Sequence, residues 1–430
     1  MKVLCTGDLH IGRRPTRLPP EVDCRPLSCA RHWDAIVDYA IAQAVDVVAL
    51  SGDVVDQSNK FYEAVGPLER GLRRLGEAGV VTVAVAGNHD YDVLPQLAST
   101  LNSESFRLLG RGGEWKRTTI SGRDGERLHV DGWSFPAEHV SDNPLATYHP
   151  ESSDGVPVLG LLHADLDAKG SHYAPVSLPD LRACPVALWL LGHVHAPALH
   201  DGGGGHRPPV LYPGSPQAMD PGETGVHGVW LAEVRALTPV QPRSIPLASV
   251  RYATVDIDLT GLRELSELRT RITSELRSGI ATLVGESGPL RHLSLRARVL
   301  GATALHRQMG SELSRISSDF EWQENGVTAH VERITAATRP ERDLEALARG
   351  SDAVGLLARL ARDVASGTLD TDRAALVRGA HDAAASLLDS SRYQAIVELR
   401  DDLDDRVLRA RIEREAISLL DELLAQKEVV

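Results

Sequence analysis

This chain is short of thiols, aromatics, long apolar runs and basic charge, and each shortage removes a class of function. Its 430 residues hold four cysteines, Cys5, Cys24, Cys29 and Cys184, with no Cys-x-x-Cys pair among them. That spacing supports neither a disulfide framework nor a structural zinc site, and it points to a reduced, cytoplasmic setting with idle thiols. Aromatics make up 4% of the chain against 42% hydrophobic residues overall, a balance that suits a soluble, core-forming protein. No apolar run approaches the ~20 residues needed to cross a bilayer, so no membrane partner is expected. The opening Met-Lys-Val-Leu-Cys-Thr-Gly-Asp enters the first motif at once and leaves no room for a signal peptide. A Gly-x-Ser-x-Gly elbow in a strand-turn-helix context is missing too, which sets aside a Ser-His-Asp hydrolase. The formal net charge is -13. Any nucleic-acid contact must therefore come from a local patch, from bound metals or from a partner protein.

Against these shortages stand five short segments, each at the end of an apolar, β-branched run. They read Gly-Asp-Leu-His at Gly7 to His10, Gly-Asp at Gly52 and Asp53, Gly-Asn-His-Asp at Gly87 to Asp90, His163 within Leu-His-Ala-Asp, and Gly-His-Val-His at Gly192 to His195. The preceding runs, Val3 to Cys5, Val45 to Leu50, Val80 to Ala86, Val156 to Leu162 and Val186 to Leu191, predict β-strands. Strand C-termini are where an open α/β sheet gathers residues that are distant in sequence.

The residue types match the demands of two neighbouring divalent ions, which need a shared anionic bridge surrounded by oxygen and nitrogen donors. Asp53 is the natural bridge. Asp8 and His10, alternate residues past one strand, face one ion together, and His195 completes its shell. Asn88, His163 and His193 serve the second. His193 and His195 are one residue apart, so on extended backbone both point the same way and reach neighbouring ions. With no thiolate in the set, the chemistry favours manganese, with iron, magnesium or zinc as alternatives.

All five blocks, in this order, make the chain resemble the calcineurin-like metallophosphoesterase superfamily. Within it the chain looks like the DNA-repair nuclease branch, the bacterial SbcD subunit and its relatives. Gly-Asp-Leu-His-Ile-Gly at Gly7 to Gly12, Gly-Asp-Val-Val-Asp at Gly52 to Asp56, and Tyr-Pro-Gly-Ser-Pro-Gln at Tyr212 to Gln217 with Glu223-Thr-Gly downstream carry that likeness. The resemblance implies a phosphoesterase sandwich of β-sheets flanked by helices, a two-metal hydrolase acting on DNA ends, and an SMC-like, SbcC-like coiled-coil ATPase partner. Nuclease relatives are dimers, which makes a homodimer a further expectation. His89, beside ligand Asn88, becomes the proton donor or charge stabiliser. Asp56 becomes the acceptor of a hydrogen bond from His89, fixing its tautomer. The rival functions are a small-molecule phosphatase or cyclic-nucleotide phosphodiesterase, and a non-catalytic metal-binding scaffold.

Composition divides the chain into three expected parts. Residues 1-250 alternate strands and helices, as in an α/β domain, with one helix over about Cys29 to Ala44 and another carrying Val65, Leu68, Leu72 and Leu75. The stripe on the second helix suits either a dimer surface or burial against the sheet. Gly202 to Gly205 reads as a flexible tip. Residues 251-340 read as a small α+β capping domain, with strand-like alternation at Arg251 to Asp258, Leu293 to Val299 and Val327 to Val331 around a helix from Leu262 to Leu276. Residues 341-430 read as helices. Their stripes of Val354, Leu357, Ala358, Ala361 and Val364, and of Leu403, Val407, Ala416, Leu420 and Leu424, suit internal core or a partner's coiled coil.

Overall fold

The computed structural model describes residues 1–56, 64–101, 103–202, 207–285, 288–389 and 405–428. The glycine tip beyond Gly202 and the apolar Leu403 lie outside the described residues. Two compact units are present: residues 1–257, 269–299 and 311–336 form the first, and residues 258–268, 300–310 and 337–430 the second.

In the first unit, β1 (Lys2–Thr6), β2 (Val47–Leu50), β3 (Val81–Ala84) and β4 (Phe106–Leu108) run parallel in one sheet. A second sheet is built on β5 (Lys116–Ser121), β6 (Arg127–Trp133), β7 (Val158–His163), β8 (Leu188–Gly192), β9 (Ala198–His200) and β10 (Val210–Tyr212). The order in it is β5-β6-β7-β8-β10-β9, and the edge strands β5 and β9 are antiparallel to their neighbours. Antiparallel β11 (Gly228–Glu233) and β12 (Arg243–Pro246) extend the first sheet beyond β1.

The alternation along β1 shows how the layers form. Val3 and Cys5 point into a core shared with Val47, Ala49 and Val83 of the first sheet and Val130, Leu159, Leu161, Leu188 and Leu190 of the second. Leu4 points the other way, with Val48 and Leu50, onto α1 (Cys29–Ala42), α2 (Val65–Glu77) and α3 (Val93–Leu101). The outer face of the second sheet is covered in turn by Leu181 of α4 (Leu178–Ala183) and by Trp115 and Tyr148, against Trp189, Leu162 and Leu191. Strands buried on both faces read as unbroken apolar runs, which is why β2, β7 and β8 stand out in sequence. The expected α/β sandwich flanked by helices is what the chain forms.

The stripe on α2 resolves to one of its two readings. Leu68, Leu72 and Leu75 are 1%, 5% and 0% exposed and lie in the core with Trp33, Ile36 and Ala40 of α1. These three leucines are core.

Past residue 249 come β13 (Val250–Asp258), α5 (Leu265–Gly285), β14 (His292–Thr303), α6 (Gly310–Asp319), β15 (Glu321–Glu324) and β16 (Val327–Pro340), with strand order β13-β14-β16-β15. Ile272, Leu276 and Ile280 of α5 and Leu293, Leu295 and Ala297 of β14 are buried, as their spacing predicts. In the second unit, α7 (Leu344–Leu347), α8 (Ala353–Ser366), α9 (Thr371–Asp389) and α10 (Asp405–Glu428) follow. Val354 and Ala358 of α8 meet Leu420 of α10, and Ala361 meets Ala416 and Ile417. The stripes thus cover each other from Val354 to Ala361 and from Ala416 to Leu424. No helix among the described residues is long and apolar enough to cross a membrane.

Candidate metal centre

Five strands of the two sheets end at one place. Asp8 and His10 follow β1, Asp53 follows β2, Asn88 and His89 follow β3, His163 closes β7, and His193 and His195 follow β8. Backbone bonds hold the loops together: Asp8 N–H donates to the Gly52 carbonyl and His10 N–H to the Asp53 carbonyl, both at 3.0 Å. Asp8, His10, Asp53 and His193 have φ of 49°, 42°, 48° and 97°, left-handed values that side chains rarely adopt. Four strained residues in one site cost on the order of 1–3 kcal/mol each and persist only because their surroundings over-determine them.

The glycines before these residues have a packing reason. A Cβ on Gly87 would collide with Asp53 Oδ1, and one on Gly192 with the Ser51 carbonyl, while lying 2.6 Å from His163 Nδ1. At both positions the Cβ would meet atoms of another strand's loop, so the motifs need glycine there.

Asp53 is the hub. Its Oδ2 lies 3.5 Å from His163 Nε2, 3.9 Å from His10 Nε2 and 4.0 Å from His89 Nε2, and its Oδ1 accepts the His89 N–H at 2.9 Å. Burial opposes its ionisation, but His163, His10 and His89 outweigh this and hold its carboxyl below the usual range. Asp8, His10 and His195 form one group whose ligand atoms lie within 4.8 Å of one another, and Asp8, Asp53 and His163 form another. Asn88 Oδ1 is 3.0 Å from His163 Nε2. The His193 ring sits 5.3 Å from that of His163, and its Nε2 is 3.6 Å from Asp165 Oδ1. Tyr173 lies against His193, centroid to centroid 4.6 Å. Burial and the adjacent His163 push the His193 pKa down to about 4. Thus His193 pairs with His163 and His195 with His10, two neighbouring places rather than one.

Asp56 sits differently from its expected place. The Ile11–Val55 bridge lays the two loops side by side, and Asp56 Oδ1 comes 3.3 Å from His10 Nδ1. His89 lies in the same group, with ligand atoms within 4.8 Å. Asp56 is therefore first a neighbour of His10. The His89 side chain is 33% exposed at the rim, and burial lowers its pKa despite the pull of Asp53.

Three residues with a part in the site carried no assignment from sequence. Asp90, last in its motif block, accepts from Gly87, Val54 and Val55 N–H groups and ties two loops together. Burial and the Asp53 charge push its pKa up to about 7. Asp165 stands beside His193, and Glu223 lies 2.9 Å from His195 Nδ1. The signal for Asp90 and Asp165 was their presence in the motif segments; Glu223 had only the Glu-Thr-Gly likeness.

The donor set fits divalent cations. Asp8 Oδ2 and His89 Nδ1 are buried without a hydrogen-bond partner among the described residues, and His10 Nε2 faces His195 Nε2 at 3.1 Å. Unpaired buried acceptors and facing imidazole nitrogens are costly unless a cation sits among them. Carboxylate, carboxamide and imidazole donors without thiolate suit manganese, iron, zinc or magnesium.

Comparison with known proteins agrees with this geometry. Residues 1–197 match the calcineurin-like phosphoesterase family, and residues 252–339 match the middle domain of metallophosphoesterase YhaO. The uncharacterized metallophosphoesterase YhaO of Bacillus subtilis is 28% identical over 238 residues, 53% of this chain and 56% of that protein. A DNA double-strand break repair protein Mre11 of Methanopyrus kandleri is 25% identical over 63% of this chain and 62% of that protein. One from Haloferax volcanii is 27% identical over 63% and 58%. The matched region spans under two thirds of each of these relatives. The match over residues 1–197, together with an ordered set of donors at five strand ends, supports a place for this chain in the calcineurin-like metallophosphoesterase superfamily.

Proposed function

We propose that the protein is a two-metal phosphodiester hydrolase that cleaves DNA. The carrying observation is the convergence of Asp8, His10, Asp53, His163 and His195 into overlapping ligand groups, with His89 at the rim. Asp8, His10 and His195 would hold one ion, Asn88, His163 and His193 the other, and Asp53 both. Bound there, divalent ions supply Lewis acidity and a nucleophilic water near neutral pH. The chain's own groups do the rest. Asp53 orders the His89 backbone, Asp56 steadies His10, and His89 is set to hand a proton to the leaving oxygen or to stabilise charge on the phosphoryl group. A Ser or Cys nucleophile is not needed.

The DNA substrate rests on similarity to proteins described as DNA double-strand break repair protein Mre11. Manganese is the proposed native ion and the cytoplasm the proposed setting, the latter supported by four free cysteines. A homodimer and a coiled-coil ATPase partner remain part of the proposal. With the α8 and α10 stripes covering each other, a partner would meet the outward Leu356, Leu376, Val407 and Leu419, which are 57%, 49%, 51% and 51% exposed. That same internal packing favours the second reading, a phosphodiesterase for small substrates that needs no partner. Digests of linear, nicked and single-stranded DNA with manganese, beside a chromogenic phosphodiester and a phosphomonoester, separate the two. Cleavage of the small phosphodiester without cleavage of any DNA refutes the nuclease.

A further inference from the structure

Glu223 lies outside the five motif blocks, yet its carboxylate touches the site. Its Oε1 is 2.9 Å from His195 Nδ1, and its Oε2 accepts from Ser215 Oγ and from the Met219 N–H, both at 2.9 Å. The Glu223 side chain is 12% exposed and Ser215 is fully buried. The strap between Pro213 and Glu223 is fastened on several sides. Ser215 N–H donates to the His195 carbonyl at 3.0 Å, Thr16 N–H to the Met219 carbonyl at 2.8 Å, and Gln217 Oε1 accepts from Ser249 and Val250 N–H at 3.0 and 3.1 Å. Glu223 is thus held in place by contacts that do not involve the His195 ring.

A carboxylate can only accept, so the shared proton belongs to His195 Nδ1. In the neutral ring, the form a cation binds, the lone pair is then on Nε2, the nitrogen that faces His10 Nε2 at 3.1 Å within the group formed with Asp8. An imidazole binds a cation only through an unprotonated nitrogen, and the partner on the other nitrogen selects the tautomer.

We propose that Glu223 is a positioning residue that locks His195 in the tautomer and ring orientation a divalent cation requires, so that the strap helps set metal affinity on the Asp8–His10–His195 side. This rests on the metallophosphoesterase reading. The substitution Glu223→Gln is diagnostic because its carboxamide oxygen can keep Ser215 and Met219 while its NH2 group turns to His195. That NH2 donates to Nδ1, moves the imidazole proton to Nε2 and removes the lone pair. Glu223→Asp keeps two acceptor oxygens with a shorter reach and should recover part of the loss.

The test uses the full chain and manganese(II) alone, with no substrate. Calorimetric titration of the wild type should show two ions per chain. In Glu223→Gln one of them should weaken by about 10–100-fold, the usual scale for a partner behind a ligating histidine. The melting temperature without metal should stay within about 2 °C, under 1 kcal/mol for a domain of this size. Nitrogen-15 spectra of labelled histidines should show the His195 proton moving from Nδ1 to Nε2. Unchanged affinity in Glu223→Gln overturns the proposal, as does an affinity loss with a matching drop in melting temperature and an unmoved tautomer. A wild type that binds no divalent ion overturns the metallophosphoesterase reading itself, and this proposal with it.

Discussion

Gly87→Ala should damage the site from one methyl group that touches no substrate. The new Cβ would overlap Asp53 Oδ1 and come within 2.8 Å of both Asp53 N and His163 Cε1, where ordinary contacts begin at 3.4 Å. None of these atoms is the free end of a flexible chain. Asp53 N is backbone, Asp53 Oδ1 is tied to the His89 N–H, and the His163 ring is pinned between the Ser51 carbonyl and Asn88. Overpacking of this kind costs about 1–3 kcal/mol. At roughly 2–4 °C per kcal/mol the melting temperature should fall by on the order of 2–12 °C. Relief of the overlap moves Asp53, so manganese should bind at least about 10-fold more weakly, as when a ligand loses its fixed orientation. Thermal melts without metal, followed by manganese titration, read both effects. A variant that melts and binds like the wild type refutes the claim that the glycine makes room for the hub carboxylate.

His89→Gln should retain both ions and slow hydrolysis by about 100-fold or more, the scale for loss of a proton donor or charge stabiliser; loss of metal would make His89 a ligand. Deleting residues 341–430 should leave manganese binding and the melting of the first unit unchanged, because α8 and α10 bury each other and leave together; a lowered melting temperature for that unit contradicts this. Acid should weaken the fold between pH 6.5 and about 4, since burial pushes His32 and His292 down to about 4 from an ordinary 6.5. The unfolded chain takes up these protons first as pH falls, so the stability is present above pH 6.5 and lost through that window, up to about 3 kcal/mol per histidine. Urea midpoints across the range check it, and His292→Asn should flatten the slope; an unchanged slope counts against the assignment.

The residues that sequence identified best were those whose reasons are local. A Gly-Asp at the end of Val47–Leu50 shows both the strand, by its unbroken apolar run, and the tight approach that the glycine allows. Edge strands gave no such signal. β5, Lys-Arg-Thr-Thr-Ile-Ser, has one buried residue in six, and β4 and β9 are three residues long. The α2 stripe left two readings open because periodicity marks a face without saying what covers it. Asp56 was assigned by its spacing from Asp53, yet its closest histidine is decided by the Ile11–Val55 bridge. Glu223 lies 28 positions from His195, and a loop rather than a repeat brings them together. The pairing of α8 with α10 is likewise a long-range fact that neither stripe announces alone.

If Asp53 is the anion shared by two cations, its loss must release metal. Metal analysis of the purified chain and of Asp53→Asn, each equilibrated with manganese and freed of excess, tests it directly. The account predicts two ions per wild-type chain and the loss of one or both in the variant, together with its phosphodiesterase activity. An Asp53→Asn protein that keeps two ions and near-normal turnover would contradict it.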